Sequence, residues 1–123
     1  MPRQLHSMYN QVTSWPAIIK YAQDDELAYI ADLAQWNSDA DLHAIEYERK
    51  DILIDSLGLI HHLNSRHDAS VLPESTGDII DLEHAISLVK AHFSMIGACC
   101  SAKLTARSVA ELVNLVGFED NGI

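Results

Sequence analysis

The stretch DILIDSLGLIHHLN, residues 51–64, decides the fold, because two apolar segments flank a connection that ends in Gly58. A three-residue connection of Ser56, Leu57 and Gly58 suits a tight hairpin in which the glycine is left-handed and forms a bulge. We therefore predict two antiparallel strands here. Asp55, at the end of the first strand, is expected to hold the turn through backbone amides.

A second hairpin is predicted upstream, where the segments AIIKYA and ELAYIA flank an acidic turn at residues 23–26. Between the two hairpins, DLAQWNSDADL at residues 32–42 predicts a short helix with Leu33 and Trp36 on its inner face, three positions apart. The segment 64–78 is rich in Ser, Asp, Asn, Pro and Gly, which favour turns. We predict a long loop there.

The pattern after residue 78 becomes helical, because apolar residues recur at steps of three or four, which aligns them on one side of a helix. The series is Leu82, Ile86, Val89, Phe93, Ile96, Cys100 and Leu104. We predict one long helix here, with Asp81 as its N-cap. A second helix is predicted from Thr105 to Gly117. Within it, Ser108 and Glu111 have capping-box spacing.

These patterns predict an α+β fold, because the strands are grouped rather than alternating with helices. The expected architecture is an antiparallel sheet of two hairpins, joined by a short helix and packed against one long and one shorter C-terminal helix. Residues 15–123 are assigned to this single domain, and residues 1–14 to an N-terminal extension or arm. A length of 123 residues is ordinary for one domain.

Composition and charge exclude several classes of protein. Acidic residues outnumber basic ones by 18 to 8, and a formal charge of −10 argues against nucleic-acid binding through phosphate neutralisation. No apolar run reaches the roughly 18–20 residues that span a bilayer, and the first residues lack the apolar stretch of a secretion signal. We therefore expect a cytoplasmic protein without a membrane partner. The adjacent Cys99 and Cys100 predict small reduced core residues rather than a disulfide.

The histidines are candidates for metal ligands and for acid–base groups. His61 and His62 are neighbours in a predicted strand, so their side chains point to opposite faces and do not converge on one ion. His62 with His67 is the remaining metal candidate, and it requires the loop to fold back and supply a third ligand. His84 and His92 lie roughly 12 Å apart along the predicted helix. We predict no metal, no cofactor and no catalytic residue.

The acidic turn at Asp24, Asp25 and Glu26 is the densest charge cluster in the sequence. We expect it to be solvated, and it is the place where binding of a basic protein partner is predicted. Motifs that identify an enzyme are absent, since the sequence has no Gly-rich phosphate loop, no nucleophile elbow and no recognisable triad.

Several motifs together resemble those of one protein family. They are WPAIIK at 15–20, DDELAYIADLAQW at 24–36, DADLH at 39–43, DILIDSLG at 51–58 and VKAHFSMIGACCSAKL at 89–104. The chain resembles, from Trp15 to Val116, a small family from marine gammaproteobacteria that is classed as a domain of unknown function. The resemblance implies a bacterial, cytosolic, single-domain protein, but it implies no activity and no catalytic residue.

Three functions remain open from the sequence. The first, which we predict, is a non-enzymatic accessory domain that offers a sheet edge or an acidic face to a protein partner, or to a second copy as a homodimer. The second is a small-molecule or metal-binding protein with a pocket between the sheet and the long helix. Its candidate residues are His62, His67, His92 and Cys99. The third is a nucleic-acid mimic that presents its carboxylates to a DNA-binding protein.

Overall fold

The computed structural model describes residues 12–98 and 103–120 and has the α+β architecture predicted from the sequence. The strands are β1 (Ala17–Lys20), β2 (Leu27–Ile30), β3 (Ile52–Asp55), β4 (Leu59–His62), β5 (Arg66–His67), β6 (Ser70–Val71) and β7 (Glu74–Ile79). The helices are α1 (Leu33–Ser38), α2 (Ala40–Ala44), α3 (Leu82–Ile96) and α4 (Val109–Asp120). Five strands form an antiparallel sheet in the order β2-β1-β3-β4-β7, and β5 pairs with β6 as a separate ribbon.

Both predicted hairpins are present, since β1 pairs with β2 and β3 pairs with β4. Gly58 has a φ of 85°, which is the left-handed conformation that the sequence predicted for it. The two hairpins lie side by side because β1 also pairs with β3, in a register that sets Ile18 opposite Ile54 and Ile19 opposite Leu53. Successive apolar side chains of each strand therefore point to opposite faces of one sheet.

The sheet is buried on both faces, so the domain has three layers. On one face α3 and α4 pack against Ile18, Leu27 and Ile54 through side chains that include Val89, Phe93, Leu112, Val113 and Val116. On the other face Ile19, Ile30 and Leu53 pack with Trp36, Leu42, Tyr47, Leu63 and Val71. We call the second group the ribbon-side core. It explains why the central strands are apolar at consecutive positions rather than alternating.

The elements of the ribbon-side core differ from the sequence prediction at three points. The segment 64–78 is not a long loop, because it contains the β5–β6 ribbon and most of β7, the fifth strand of the sheet. The short helix is two helices, because Asp39 has an extended backbone that ends α1 and its carboxylate caps α2. Leu33 is 52% exposed and was wrongly placed on the inner face, whereas Trp36 is buried as predicted.

Helix α3 begins as predicted and ends earlier. The carboxylate of Asp81 accepts the backbone N–H of His84 at 3.3 Å, which confirms the N-cap. The helix stops at Ile96, because Gly97 adopts a φ of 78° and its N–H bonds back to carbonyls of the last turn. The prediction of a helix continuing to Leu104 is therefore wrong, and Cys99 and Cys100 lie outside the described residues.

Helix α4 begins at Val109 rather than at the predicted Thr105, and the N–H of Glu111 donates to Ser108 Oγ at 3.2 Å, as the capping-box spacing indicated. It continues through Gly117 instead of ending there. A Cβ on Gly117 would lie only 2.4 Å from the ring of Tyr29, so the glycine allows the helix to approach β2 closely. In the described part of the chain, no helix combines the length and apolarity needed to cross a membrane.

A fully buried carboxylate connects the second hairpin to the chain before β1. Asp55 Oδ1 accepts the N–H groups of Leu57 and Leu59, each at 3.0 Å, which confirms its predicted role in the turn. Its Oδ2 accepts the N–H of Ser14 at 3.1 Å and lies 3.0 Å from His61 Nε2. Burial by itself raises the pKa of Asp55, but the bonds from His61, Ser14 and Leu59 outweigh burial and hold the pKa below its ordinary value of 3.8.

We expect Asp55→Asn to lower the free energy of unfolding by about 3 kcal/mol at neutral pH, because an amide cannot accept all four bonds and leaves buried donors unpaired. Because the folded pKa is lowered, the stability that Asp55 contributes is present above pH 3.8 and is lost as the pH falls through the folded pKa. The difference between wild type and variant in urea unfolding should therefore shrink in that acidic range.

Asp41→Asn is the matched control, because the Asp41 side chain is exposed in the first turn of α2. We expect it to change the free energy of unfolding by less than about 0.5 kcal/mol. A difference between wild type and Asp55→Asn that stays constant from pH 7 to pH 2 would contradict the assignment of an ionised, stabilising Asp55.

Candidate interaction surface

Both backbone polar groups of Val71 are bonded to side chains from the two short helices. The indole Nε1–H of Trp36 donates to the carbonyl of Val71 at 3.1 Å, and the Val71 N–H donates to His43 Nδ1 at 2.9 Å. Since Nδ1 is an acceptor, the ring proton of His43 lies on Nε2, which donates to the carbonyl of Trp36 at 2.8 Å. We call these three residues the Val71 anchor. Trp36 is therefore held at its indole by Val71 and at its backbone carbonyl by His43.

The guanidinium of Arg66 adds a second connection between the ribbon and α2. Its Nη1 donates to the carbonyl of His43 at 2.8 Å and its Nη2 to the carbonyl of Ile45 at 3.0 Å, so it caps the C-terminal end of the helix. Arg66 and Val71 are paired across the ribbon. The β5–β6 ribbon is therefore held at both of its strands.

Trp15 is positioned by the second hairpin rather than by its own strand. The N–H of Ser14 bonds to Asp55, and the carbonyl of Ser14 accepts the N–H of Ser56 at 2.9 Å. On the other side of Trp15, the hydroxyl of Ser56 donates to the carbonyl of Pro16 at 2.6 Å, and the Trp15–Pro16 peptide bond is cis. The ring of Trp15 lies 6.4 Å from that of Trp36, at an interplanar angle of 32°.

The two tryptophans line a surface groove of about 420 Å³. Its apolar lining residues are Val12, Trp15, Leu33, Trp36, Leu72 and Pro73, which come from the segment before β1, from α1 and from the connection between β6 and β7. Thr13 and Asn37 complete the lining, in which none of the described residues carries a charge. We call this feature the Trp36 groove.

Three of the apolar side chains at the Trp36 groove are exposed. Val12 is 61% exposed, Leu33 52% and Leu72 42%, and all three line the same concave surface. Single exposed apolar residues are normal on protein surfaces, whereas a contiguous apolar patch indicates a binding surface. Leu33 is therefore exposed as part of a shared apolar surface and not as a single side chain.

Two exposed carboxylates are sequence neighbours of residues that line the Trp36 groove. Asp32 precedes Leu33 and caps α1 by accepting the N–H of Gln35 at 2.8 Å, and Glu74 follows Pro73. Neither carboxylate forms an ion pair within residues 12–98 and 103–120, where the pair of Asp55 with His61 is the one found. The described lining of the groove is thus neutral.

The predicted partner-binding turn lies beside a different cleft. Asp24 and Glu26 line a cleft of about 310 Å³ along β2, while Asp25 is exposed outside it. Asp24 Oδ1 accepts the N–H of Glu26 at 3.0 Å, and the ammonium of Lys20 bonds to the backbone carbonyls of Tyr21 and Asp24 instead of a carboxylate. The turn is therefore accessible at Asp25 and Glu26, and Lys20 binds its backbone without pairing with a carboxylate.

Tyr21, which lines this cleft, stacks on a second phenol ring. Tyr21 and Tyr47 have ring centroids 6.2 Å apart, and the Tyr47 hydroxyl donates to the carbonyl of Leu42 at 2.8 Å. Burial raises the pKa of both phenols, and the carboxylates of Asp51 and Asp39 raise it further. Both rings consequently stay neutral and act as hydrogen-bonding groups.

The edges of the sheet offer little free main chain for strand addition. Along the outer edge of β2, the N–H of Leu27 donates to His92 Nδ1 at 2.9 Å, and the N–H of Ala31 donates to Gln35 Oε1 at 2.7 Å. On β7, the amides of Gly77 and Asp78 bond to side chains of the same strand, next to a register shift against β4. Such side-chain bonds and irregularities protect edges from pairing.

The histidines that are candidate ligands lie in separate parts of the structure. His61 is buried beside Asp55 and His62 is half-buried, as expected for neighbours that point to opposite faces, while His67 is exposed on the ribbon. His92 is buried and accepts the Leu27 amide. Within the described ranges, no three His, Cys, Asp or Glu side chains are grouped so as to hold a metal ion, and Cys99 lies outside them.

The His61–Asp55 pair has the composition of an acid–base dyad and was not foreseen from the sequence. Both side chains have no accessible surface, and neither lines the two cavities described above. A catalytic base must reach the proton that it removes. In this conformation the pair therefore serves the structure of the hairpin. The signal was present in the sequence, because hairpin register places residues 55 and 61 on the same face.

We expect His43→Ala to lower the free energy of unfolding by about 2 kcal/mol, because the Val71 amide loses its acceptor and the Trp36 carbonyl its donor. Fluorescence-detected urea unfolding measures the change, and the emission of the native variant should show a more solvated indole. The control is His67→Ala, an exposed histidine on the adjoining ribbon, for which we expect less than about 0.5 kcal/mol. Equal effects of the two substitutions would contradict the Val71 anchor.

Comparison with known proteins places the chain among relatives without an assigned activity. An NMR structure of a protein from Shewanella amazonensis is similar to it, with a TM-score of 0.60 and 23% sequence identity over 86% of this chain and 89% of that chain. At this identity the similarity shows the fold alone. No protein with a curated description matches. A family model described as a protein structure with unknown function, DUF4144, matches residues 15–116, so the chain belongs to the DUF4144 family.

Proposed function

We propose that this domain is a small cytoplasmic, non-enzymatic accessory domain that acts by binding a protein partner at the Trp36 groove. The observation that carries the proposal is a cluster of three exposed apolar side chains around Trp15 and Trp36. The indole of Trp36 is held in place by its hydrogen bond to the Val71 carbonyl. Tryptophan is enriched among the residues that contribute most to protein–protein affinity, especially where it lies in a preformed pocket.

Preorganisation supports a binding role for this groove. Trp36 is held by Val71 and His43, and the backbone on both sides of Trp15 is held by Ser56 and Asp55. Side chains that are already ordered lose little conformational entropy when a partner binds. An apolar surface built only to complete the core would not need to leave Leu33 and Leu72 in solvent.

The acidic turn of Asp24, Asp25 and Glu26 is proposed as a further contact for a basic partner. Its support is the exposure of Asp25 and Glu26 and the cleft beside Asp24. The formal charge of −10 would favour the approach of such a partner through long-range attraction. Charge at the edge of an interface affects association rate and specificity more than affinity.

The alternative of a small-molecule pocket between the sheet and α3 has less support than the Trp36 groove. The described core in that interface is mostly apolar, with Val89 and Phe93 packed in it, and its buried His92 already accepts the backbone N–H of Leu27. His67 lies on the ribbon, outside that interface, and no three described His, Cys, Asp or Glu side chains are grouped so as to hold a metal ion, whereas the polar groups of a ligand site must converge on one cavity. The Trp36 groove, by contrast, is an open surface cavity whose described lining is mostly apolar.

We expect the double variant Leu33→Ser, Leu72→Ser to lose a partner that the wild type retains in extracts of its host cells. Both side chains are largely exposed, so the free energy of unfolding should fall by less than about 1 kcal/mol. The measurement is affinity capture with quantitative mass spectrometry, comparing the wild type, the double variant and a Leu57→Ser control.

Leu57 is a suitable control because it is 68% exposed and lies in the β3–β4 turn, outside the Trp36 groove. The control should retain the partner at the wild-type level. If all three proteins capture the same set at the same levels, or if the control loses the partner as well, the groove is not the interface and the proposed function is wrong.

A further inference from the structure

We infer that residues 1–11, the segment of the chain that precedes Val12, occupy the Trp36 groove in the free protein and that a partner binds there by displacing them. We call residues 1–11 the N-terminal segment, and they lie outside the described residues. The inference specifies how the groove is regulated. Only its displacement step rests on the proposed function, because occupation by the protein's own chain requires no partner.

The described chain begins at the Trp36 groove itself. Val12 is its first residue, and both Val12 and Thr13 line the groove. Directly after them, the N–H of Ser14 is bonded to the buried carboxylate of Asp55 at 3.1 Å, so the chain is held at this point of the groove. The N-terminal segment therefore starts from a fixed position beside the surface that it covers.

Covalent geometry limits how far the segment can be from the groove. A residue spans at most about 3.6 Å, so Tyr9 is within about 11 Å of Val12. A sphere with the volume of the groove, about 420 Å³, is about 9 Å across, so a side chain at position 9 can reach the lining. The covalent connection also gives it an effective concentration on the order of 1 mM, which populates a contact that would be weak between separate molecules.

The composition of the N-terminal segment is complementary to the apolar lining. Its sequence, MPRQLHSMYNQ, contains Leu5, Met8 and Tyr9, and the last two are the nearest to Val12. Tyrosine offers a large contact area with few rotatable bonds, and its hydroxyl can remain in solvent at the mouth of an open groove. Methionine adapts to irregular apolar surfaces. The side chain that fills the groove is therefore Tyr9, with Met8 beside it.

Charge favours the same placement. The N-terminal segment has Arg3 and no acidic residue, a formal charge of +1, whereas residues 12–123 contain 7 basic and all 18 acidic residues, a formal charge of −11. Opposite net charges attract over a long range and keep the segment near the rest of the domain without a specific ion pair. The described lining of the groove is uncharged, so the contact itself is apolar and charge acts on the approach.

NMR of the full chain without a partner tests the occupation directly. We expect nuclear Overhauser contacts from the ring protons of Tyr9 to the methyl groups of Leu33 or Leu72, because these exposed side chains line the groove. The two indole N–H signals give a second readout, since the chain has two tryptophans and both of them line the groove.

The full-length variant Met8→Ser, Tyr9→Ser should shift both indole signals, because it removes the apolar side chains that cover the groove. The matched control is Gln4→Ser, His6→Ser, which changes two residues of the same segment and removes no aliphatic or phenol side chain. The control should leave both signals at their wild-type positions.

A synthetic peptide of residues 1–11 separates competition from any structural effect of the substitutions. Added to the ¹⁵N-labelled Met8→Ser, Tyr9→Ser variant, the peptide should bind the uncovered groove and return both indole signals toward their wild-type positions. The wild type should bind the same peptide about four- to ten-fold more weakly. Its own segment, filling the groove for about 75–90% of the time, leaves only the remaining fraction competent to bind.

Three outcomes would overturn the occupation. They are the absence of contacts between residues 8–9 and the groove, indole signals that Met8→Ser, Tyr9→Ser leaves unchanged, and equal binding of the peptide by the wild type and that variant. If any of them is found while Leu33→Ser, Leu72→Ser still loses its cellular partner, this inference fails and the proposed function stands.

The displacement step has its own test in the capture experiment. Met8→Ser, Tyr9→Ser should retain more of the partner than the wild type does, and equal retention would contradict displacement. If the N-terminal segment occupies the groove and Leu33→Ser, Leu72→Ser keeps the partner, the proposed function fails and the displacement step fails with it.

Discussion

The organisation of one whole side of this domain depends on how the backbone of Val71 is bonded. Its carbonyl accepts the indole of Trp36 and its amide donates to His43, so a two-stranded ribbon is fixed to two helices by the polar groups of one buried residue. A ribbon this short is not stable by itself. Attached in this way, it closes the ribbon-side core and leads directly into Leu72 and Pro73, which form part of the Trp36 groove.

The buried carboxylate of Asp55 lies on the same side of the sheet. It holds the chain next to Trp15, the other tryptophan of the groove. Asp55 closes the β3–β4 turn, pairs with His61 and binds the amide of Ser14, next to Trp15. One tryptophan of the groove is thus positioned by a buried charge and the other by the Val71 anchor. The buried carboxylate is stabilised by the bonds that it accepts, which fix the geometry of the turn and of the chain at Ser14.

Much of the fold could be predicted because local rules determined it. The left-handed position of Gly58, the acidic turn before β2 and the Asp81 cap each depend on residues close together in sequence. The end of α3 was misplaced because the apolar spacing continues past Gly97, and the backbone conformation of that glycine overrode the periodicity. Strand β7 was missed because ESTGDI is largely exposed at the sheet edge and has neither alternation nor apolar character.

The candidate site was less predictable than the fold, for a physical reason. The Trp36 groove is built from the chain around residues 12–15, from α1 and from residues 72–73, and their proximity depends on the Val71 anchor. His43 has no distinguishing sequence context, although its role is central. Leu33 gave no signal either, because its three-residue spacing from Trp36 predicted burial, whereas the six-residue helix leaves it 52% exposed. The acidic turn, which is local, could be located from sequence and is exposed as expected.

The central claim is that the Trp36 groove is preformed in the free protein, with the indole of Trp36 fixed by Val71. Hydrogen exchange of the two indole N–H groups, followed by NMR on the unliganded full chain, tests it most directly. The account predicts that the Trp36 indole exchanges slowly, at a rate set by unfolding of the ribbon-side core, because it is buried and bonded to a carbonyl at 3.1 Å. A Trp36 indole that exchanges as fast as an unprotected indole would show that the anchor does not hold in solution and would contradict the account.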